Sequence, residues 1–419
     1  MPDDDARAPL STLHAWTLVV VATSTMAVSY VDRQAMAALA PTITKDLGID
    51  DAAFGYLSSA FSIAYLLFAP LAGGLIDRFG ARRGLVASVL AWSVVAALHA
   101  LVPGFLILFL LRILLGTAEA PSFPGAAQAV NRALAAPQRS AGFGVLFTGS
   151  SIGAAISGYA APALNEMYGW RAALLLTAAV GLTWIPLWLV VSAGRAKELL
   201  RGERNSGIGD GFTSAIAALP ELIANKNVLR AMCVVIAAAP VNGLVINWGA
   251  KILVAQNGLT QKEVGSFLPW PPLALDVGAV LFGVAMSVMQ RSGFLSKWAP
   301  PRLLVTLAGL CALSIAGIGF TDTAVETTSL MALAVFGGGA LYALTTSDLL
   351  RRVPVERVAA AGGALAAAQS LALIVAFPIV GNIVQSTKSY VDVGVALAVV
   401  ALAGVTAWLV LEPTRANEP

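Results

Sequence analysis

This sequence has little charge. Only 12% of its 419 residues are Asp, Glu, Lys or Arg, where a globular domain in water carries about 25%. So depleted a chain cannot cover a water-facing surface, and its solvent must be lipid. Cysteine is nearly absent. Cys233 and Cys311 both fall inside apolar runs, which argues against a disulfide or thiolate metal site and leaves core packing. Histidine occurs twice, as His14 and His99, each near the end of an apolar run. Beyond the pH-switch chemistry open to any histidine, the sequence assigns neither a role. There is no metal-ligand cluster, no nucleotide-binding glycine loop in a strand–helix context, and no polar domain to house one. These absences argue against an enzyme and a nucleic-acid binder, and no cofactor is expected. The opening Met1-Pro-Asp-Asp-Asp-Ala-Arg7 lacks the basic and short apolar regions of a cleaved signal peptide, so the first apolar helix is expected to be retained.

What is present is apolar length: 58% hydrophobic residues and a mean hydropathy of +0.80. A backbone in lipid must satisfy its own hydrogen bonds, as helices or as a closed barrel. The apolar runs are continuous rather than alternating, which selects helices of roughly 20 residues. Runs of that length cover 13–34, 52–76, 82–102, 104–130, 138–163, 170–192, 228–254, 264–288, 302–320, 327–349, 358–384 and 390–411. Twelve spans put both termini on one side. Loops on that side hold Arg78, Arg82, Arg83, Arg132, Arg139, Arg195, Lys197, Arg201, Arg204, Lys226, Arg230, Arg291, Lys297, Arg302, Arg351, Arg352 and Arg357. The opposite loops offer Lys45, Arg171, Lys262 and Lys388. The positive-inside rule therefore predicts cytoplasmic termini, in the inner membrane of a cell.

The longest polar stretch, 193–227, divides the chain into six-helix halves, 1–192 and 228–419. The opening of span five, Pro137-Gln-Arg139-Ser-Ala-Gly142, is echoed by Val355-Glu-Arg357-Val-Ala-Ala at span eleven. Paired halves mark transporter folds with a substrate site at the repeat interface.

After span two comes Gly73-Gly-Leu75-Ile-Asp77-Arg78-Phe-Gly80-Ala-Arg82-Arg83. Gly73 permits close helix approach, Gly80 a tight turn, and the arginines anchor the next helix at the interface. The string resembles, position by position, the signature loop of the major facilitator superfamily. That resemblance implies twelve helices in two pseudo-symmetric halves and assigns Asp77 and Arg78 to a latch between access states. The matching second-half loop, Gly283 to Arg291, has Ser287 where the acid would stand, which implies a weaker latch there. Tyr30-Val-Asp32-Arg33, Arg112 to Gly116 with Glu119-Ala-Pro121, Gly149-Ser-Ser-Ile-Gly153 and Trp248-Gly-Ala-Lys251 resemble the anion:cation symporter branch. Its members, among them hexuronate and galactonate carriers, move organic acids with protons.

A charge in the apolar core costs about 2.5–3.5 kcal/mol on insertion scales, so Asp32, Arg33, Arg112 and Glu119 are functional candidates. Arg112 and Glu119, seven residues apart, share one helix face. A structural ion pair, or snorkelling of Arg33, is the bland alternative. A guanidinium suits a carboxylate substrate through two parallel hydrogen bonds, and the resemblance favours Arg33 for that contact, with Arg112 nearby. Burial favours the protonated form of a carboxyl and a neighbouring arginine the ionised form. Glu119, then Asp32, are the expected proton carriers. Tyr30 and Tyr65 are candidates for substrate hydroxyl groups, with packing the alternative.

In the second half, Asn242, Asn247 and Gln369 are candidate substrate contacts, and Asp276 a gating or contact residue. Polar residues in such helices also simply join them. Gly338 and Ala340 stand where relatives are often bulkier or aromatic, and Leu371 where some carry Asn, which leaves the substrate open between a sugar acid and another carboxylate. Lys251 is expected near the outer mouth, attracting anions or snorkelling. The expected function is proton-coupled uptake of a small carboxylate by a monomer in the bilayer. An exporter or drug antiporter of the same fold, or a non-transporting nutrient sensor, are the alternatives.

Overall fold

The computed structural model describes residues 10–202, 213, 217, 220, 224–292, 299–353 and 358–411. Most of the expected linker, including Arg204, and Lys297, Val355, Glu356 and Arg357 lie outside the described residues. The described elements are helical throughout. In the first part these are α1 (Thr12–Ala38), α2 (Ala40–Asp46), α3 (Asp51–Phe79), α4 (Ala81–Leu98), α5 (Phe105–Glu119), α6 (Ser122–Ala133), α7 (Ala136–Val191) and α8 (Arg195–Leu199). The second part adds α9 (Lys226–Asn257), α10 (Gln261–Val264), α11 (Trp270–Ser292), α12 (Ala299–Ala312), α13 (Ala324–Leu350), α14 (Val358–Thr387) and α15 (Val391–Val410), with 3-10 turns at His99–Leu101 and Leu313–Phe320.

Among the described residues, eleven stretches are long and apolar enough to cross a membrane. The longest, α7, runs 56 residues and breaks at Gly169, where φ is 80°. Glycine alone takes that conformation without strain. The break yields two helices of spanning length, and so twelve spans. Span four is also interrupted: α5 ends at Glu119, and α6 begins after Pro121, which lacks the N–H needed to continue the helix.

Lipid-facing helices invert the usual pattern. On α5, Leu106, Leu110 and Leu114 form an exposed stripe at i, i+4 and i+8. The opposite stripe, Leu108, Arg112, Leu115 and Glu119, is buried. Its polar members therefore face protein, where partners exist.

By internal contacts the chain forms two compact units. One joins residues up to Met36 with Leu67–Ser214, and the other joins Ala37–Leu66 with the chain from Ala215 onward. In the first unit, Gly149 and Gly153 of α7 lie directly against Thr23 and Ala27 of α1, so closely that a Cβ on either would strike backbone. This small-xxx-small face brings α1 to α7. Gly153→Ala is expected to destabilise the purified protein by about 1–3 kcal/mol. Gly144→Ala, on the same helix but with open space beside it, should leave the thermal midpoint in place. Equal midpoints for both variants would remove the packing argument.

In the second unit, three consecutive glycines face three helices. Successive residues in a helix point about 100° apart. Gly337 abuts Ala308 of α12, Gly338 abuts the Asn242 side chain of α9, and Gly339 abuts Leu275 of α11. Two helix starts in this unit are closed by side chains. Thr260 with Glu263 and Thr323 with Glu326 each form a capping box. The Thr260 bonds hold the Glu263 carboxyl below the usual carboxylate range. Gln256 Nε2 donates to the carbonyls of Gly319 and Thr321, and Thr327 donates to Asn257 Oδ1, which ties these caps together at one end of the unit.

Candidate functional site

The first unit holds the charged cluster. Ser29 and Arg33 stand one turn apart on α1, facing the end of α5. Glu119 is fully buried. Its Oε2 accepts three hydrogen bonds: from Ser29 Oγ at 2.8 Å, from Arg33 Nε at 3.2 Å and from Arg33 Nη2 at 2.6 Å. Its Oε1 is buried and has no hydrogen-bond partner among the described residues. The ion pair is therefore one-sided, and the carboxyl keeps an oxygen on which a proton can land without displacing Ser29. Ser88 of α4 donates to the carbonyl of Ala118, which fixes the helix end carrying Glu119. Tyr30 places its ring under the Arg33 guanidinium, 4.5 Å from centroid to Cζ, a cation–π contact that leaves its hydroxyl out of the pair.

Arg112 is buried and interacts electrostatically with both Glu119 and Arg33. The seven-residue spacing thus does put Arg112 and Glu119 on one face, but the direct partner of Glu119 is Arg33, from another helix. Asp32 is 5% exposed, and neither carboxyl oxygen has a hydrogen-bond partner among the described residues. The Trp92 indole lies beside it without hydrogen-bond alignment. Asp32, Arg112 and His99 line one small enclosed cavity. Chemically, the cluster can hold a carboxylate on a guanidinium and a proton on a carboxyl.

The signature loop folds around Gly80, whose φ is also 80°. Asp77 is exposed and accepts from Gln128 Nε2 at 3.3 Å, while Gln128 Oε1 accepts from the Ala81 N–H at 2.8 Å and so caps α4. Arg78 is exposed beside it. Gly80 and Gly202 pack back to back, leaving no room for a Cβ on either. Arg82 donates to Ser192, and Arg132 to the carbonyls of Leu199 and Arg201. The loop is thereby docked on the segment after α7.

The second unit disperses its candidates. Tyr65 stacks on Phe61 at 5.9 Å. Asn247 donates back to the Gly243 carbonyl. Gln369 and Asp276 are half-buried on α14 and α11. Asn242 fills the space over Gly338, with an Oδ1 that is buried and without a partner among the described residues. A bulkier residue at 338 and the Asn242 side chain exclude each other, which accounts for the small residue there.

Two ion-pair groups in this unit escaped the sequence. Lys251, expected to attract anions or snorkel, instead pairs with Asp51 at 2.8 Å, over the Phe54 and Trp248 rings. Lys388 lies 3.7 Å from the same carboxylate. Gln261 adds bonds to the Ala38 carbonyl and to Thr42. These contacts hold the 37–66 segment to α9, α10 and α14. A double-mutant cycle on Asp51→Asn and Lys251→Gln is expected to give a coupling of about 1–3 kcal/mol in thermal stability. A coupling near zero would make the pair incidental. At the other end of α9, buried Arg230 pairs with Asp348 at 3.2 Å, donates to the Trp408 carbonyl and covers that ring, while Arg352 takes the other Asp348 oxygen. The sequence signal was present: Asp348 is an acid at the end of a span, three and four residues before two arginines. Asp51 gave none, since an acid opening a helix reads as a simple cap. Among the described residues no His, Cys, Asp or Glu group is arranged to hold a metal.

Residues 22–377 match the family model described as Major Facilitator Superfamily. The chain is 27% identical over 404 residues to the D-galactonate transporter of Escherichia coli O6:H1 (strain CFT073), covering 92% of this chain and 93% of that protein. It is 27% identical over 370 residues to the hexuronate transporter of Bacillus subtilis (strain 168), covering 87% and 86%. A solved bacterial homologue of the human lysosomal transporter Spinster superposes with a TM-score of 0.75 at 16% identity, covering 96% of this chain and 95% of the other, a likeness of fold.

Proposed function

The chain belongs to the major facilitator superfamily, and on that premise we propose that it takes up a small organic anion together with a proton. It is a multi-pass membrane transporter and not an enzyme. The observation that carries the finer reading is the Arg33–Glu119 pair, a guanidinium held by a fully buried carboxylate. A substrate carboxylate needs that same guanidinium. It competes well only when Glu119 is neutral, because two carboxylates sharing the Arg33 guanidinium would repel each other in low dielectric. A proton on Glu119 and an anion on Arg33 together change the local charge by nothing.

The cycle follows from this balance. Protonation of Glu119 releases the guanidinium, the anion binds, and access changes. Loss of the proton on the other side re-forms the pair and expels the anion. Asp32 is a second proton carrier, and Arg112 tunes both acids. Tyr30, Tyr65, Asn242, Asn247 and Gln369 contact the rest of the substrate. Asp77, Arg78 and Asp276 gate. The moving bodies are the halves 1–192 and 228–419, joined by 193–227. Both termini are cytoplasmic at the inner membrane, by the distribution of arginine and lysine, and the monomer is the working unit. The transporters for galactonate and hexuronate among its relatives support a carboxylate substrate.

The test is uptake by proteoliposomes of a panel of hexuronates, aldonates, aldarates and simpler carboxylates, with an inward proton gradient, an inward sodium gradient or neither. Proton-stimulated accumulation of at least one acid is expected. Stimulation by sodium alone, or of no carboxylate at all, overturns the reading.

A further inference from the structure

Behind the Arg33–Glu119 pair lies a second polar place, enclosed by four elements. Asp32 and Met36 of α1, Ala96 and His99 at the end of α4, Arg112 and Leu115 of α5, and Leu174 and Thr177 of α7 line a cavity of about 10 Å³. That is room for one water. His99 is 3% exposed. Its Nδ1 lies 2.8 Å from the Val95 carbonyl. A carbonyl only accepts, so Nδ1 carries the hydrogen, and in the neutral ring Nε2 is left as an acceptor. Nε2 is buried and has no partner among the described residues, as is true of both oxygens of Asp32. Three buried acceptor atoms of two side chains thus stand at a single cavity, and groups so buried are normally satisfied. The Thr177 hydroxyl is already turned to the Leu174 carbonyl and can only accept.

Among the described residues, no group at the cavity donates to Asp32 or to His99 Nε2. A water supplies two hydrogens. We propose that this cavity is a built site for one water, which bridges Asp32 to His99 Nε2 beside the Arg112 guanidinium, and that His99 is thereby a positioning residue for the proton on Asp32. The water donates to Nε2 in either state of the acid. Toward Asp32 it donates when the carboxyl is ionised and accepts when the carboxyl is protonated. The His99 acceptor keeps the water oriented while the proton comes and goes. The titratable and charged groups facing the imidazole are Asp32 from α1 and Arg112 from α5, with Glu119 and Arg33 beyond them. The α7 wall contributes none among the described residues.

The functional consequence rests on the reading of Asp32 as a proton carrier, whereas the water site does not. Infrared difference spectroscopy of the full-length protein in lipid separates the two. The carboxylic C=O band of Asp32 is assigned by its loss in Asp32→Asn and titrated with pH. The wild type is expected to show an internal water O–H band that shifts in H₂¹⁸O. In His99→Leu that band should vanish, and the Asp32 midpoint should move by about one pH unit or more, a tenfold change in proton affinity. His99→Gln, whose amide oxygen still accepts, should keep the band and less than half of that movement. Absence of the ¹⁸O-sensitive band in the wild type overturns the site, and decides it even if His99→Leu does not fold. Equal shifts for Leu and Gln, or none for Leu, overturn the positioning role. Gradient-driven uptake is measured alongside: if the wild type shows none, the symport reading falls while the spectra still decide the water site.

Discussion

Glu119→Gln is expected to abolish pH-driven accumulation of the substrate, by about 100-fold or more, while leaving downhill exchange in place. The amide matches the carboxyl in shape and still accepts from Ser29, whose hydroxyl reaches Oε2 at 2.8 Å. It carries no charge to hold Arg33 and no site for a transported proton. Arg33 then meets the anion without competition from Glu119, so binding should lose the pH dependence that Glu119 confers. The empty protein bears the cost. Its Arg33 side chain, 16% exposed, loses the Glu119 counter-charge, which destabilises by at most about 3–5 kcal/mol. Substrate restores that charge and should raise the thermal midpoint more in the variant than in the wild type. Intact pH-driven accumulation in Glu119→Gln would move proton carriage elsewhere.

Arg33→Lys should raise the substrate KM by about 100-fold or more. Lysine keeps the charge and loses the planar fork. In the structure Arg33 uses both Nε and Nη2 on one carboxylate oxygen, and a substrate carboxylate would use the same edge. A hydrogen bond to a charged group is worth about 1.5–3 kcal/mol, and the lysine gives up at least one. The lysine still opposes Glu119, so folding should suffer less than binding. A KM within threefold of the wild type would assign the carboxylate to another cation, with Arg112 the next to test by substitution.

The twelve spans were legible because lipid demands apolar length and little else. Their details were less so. The break after Glu119 was written in Pro121, yet spans drawn by hydropathy run through it. The helix pair fused at Gly169 is separated by one positive φ, which hydropathy does not register. At the site, spacing put Arg112 and Glu119 on one face but could not name the partner, because Arg33 lies 86 residues away and only the packing of α1 beside α5 brings it in. Ser29 was hidden for the same reason, being an ordinary small residue until a carboxylate stands opposite. His99 read as a lone histidine at a helix end. Its company comes from three other helices. Gly338 was recognised as small without a cause, and the cause is Asn242, 96 positions earlier in the chain and directly against it.

The central claim is that an anion reaches Arg33 only as a proton reaches Glu119. The direct measurement is proton uptake by purified transporter, in a lightly buffered solution with a pH indicator, when a transported carboxylate is added. The wild type should take up at least one proton per anion bound, and Glu119→Gln, which should still bind, one fewer. Anion binding by the wild type with no proton taken up, at any pH where the empty protein holds the Arg33–Glu119 pair, would contradict it.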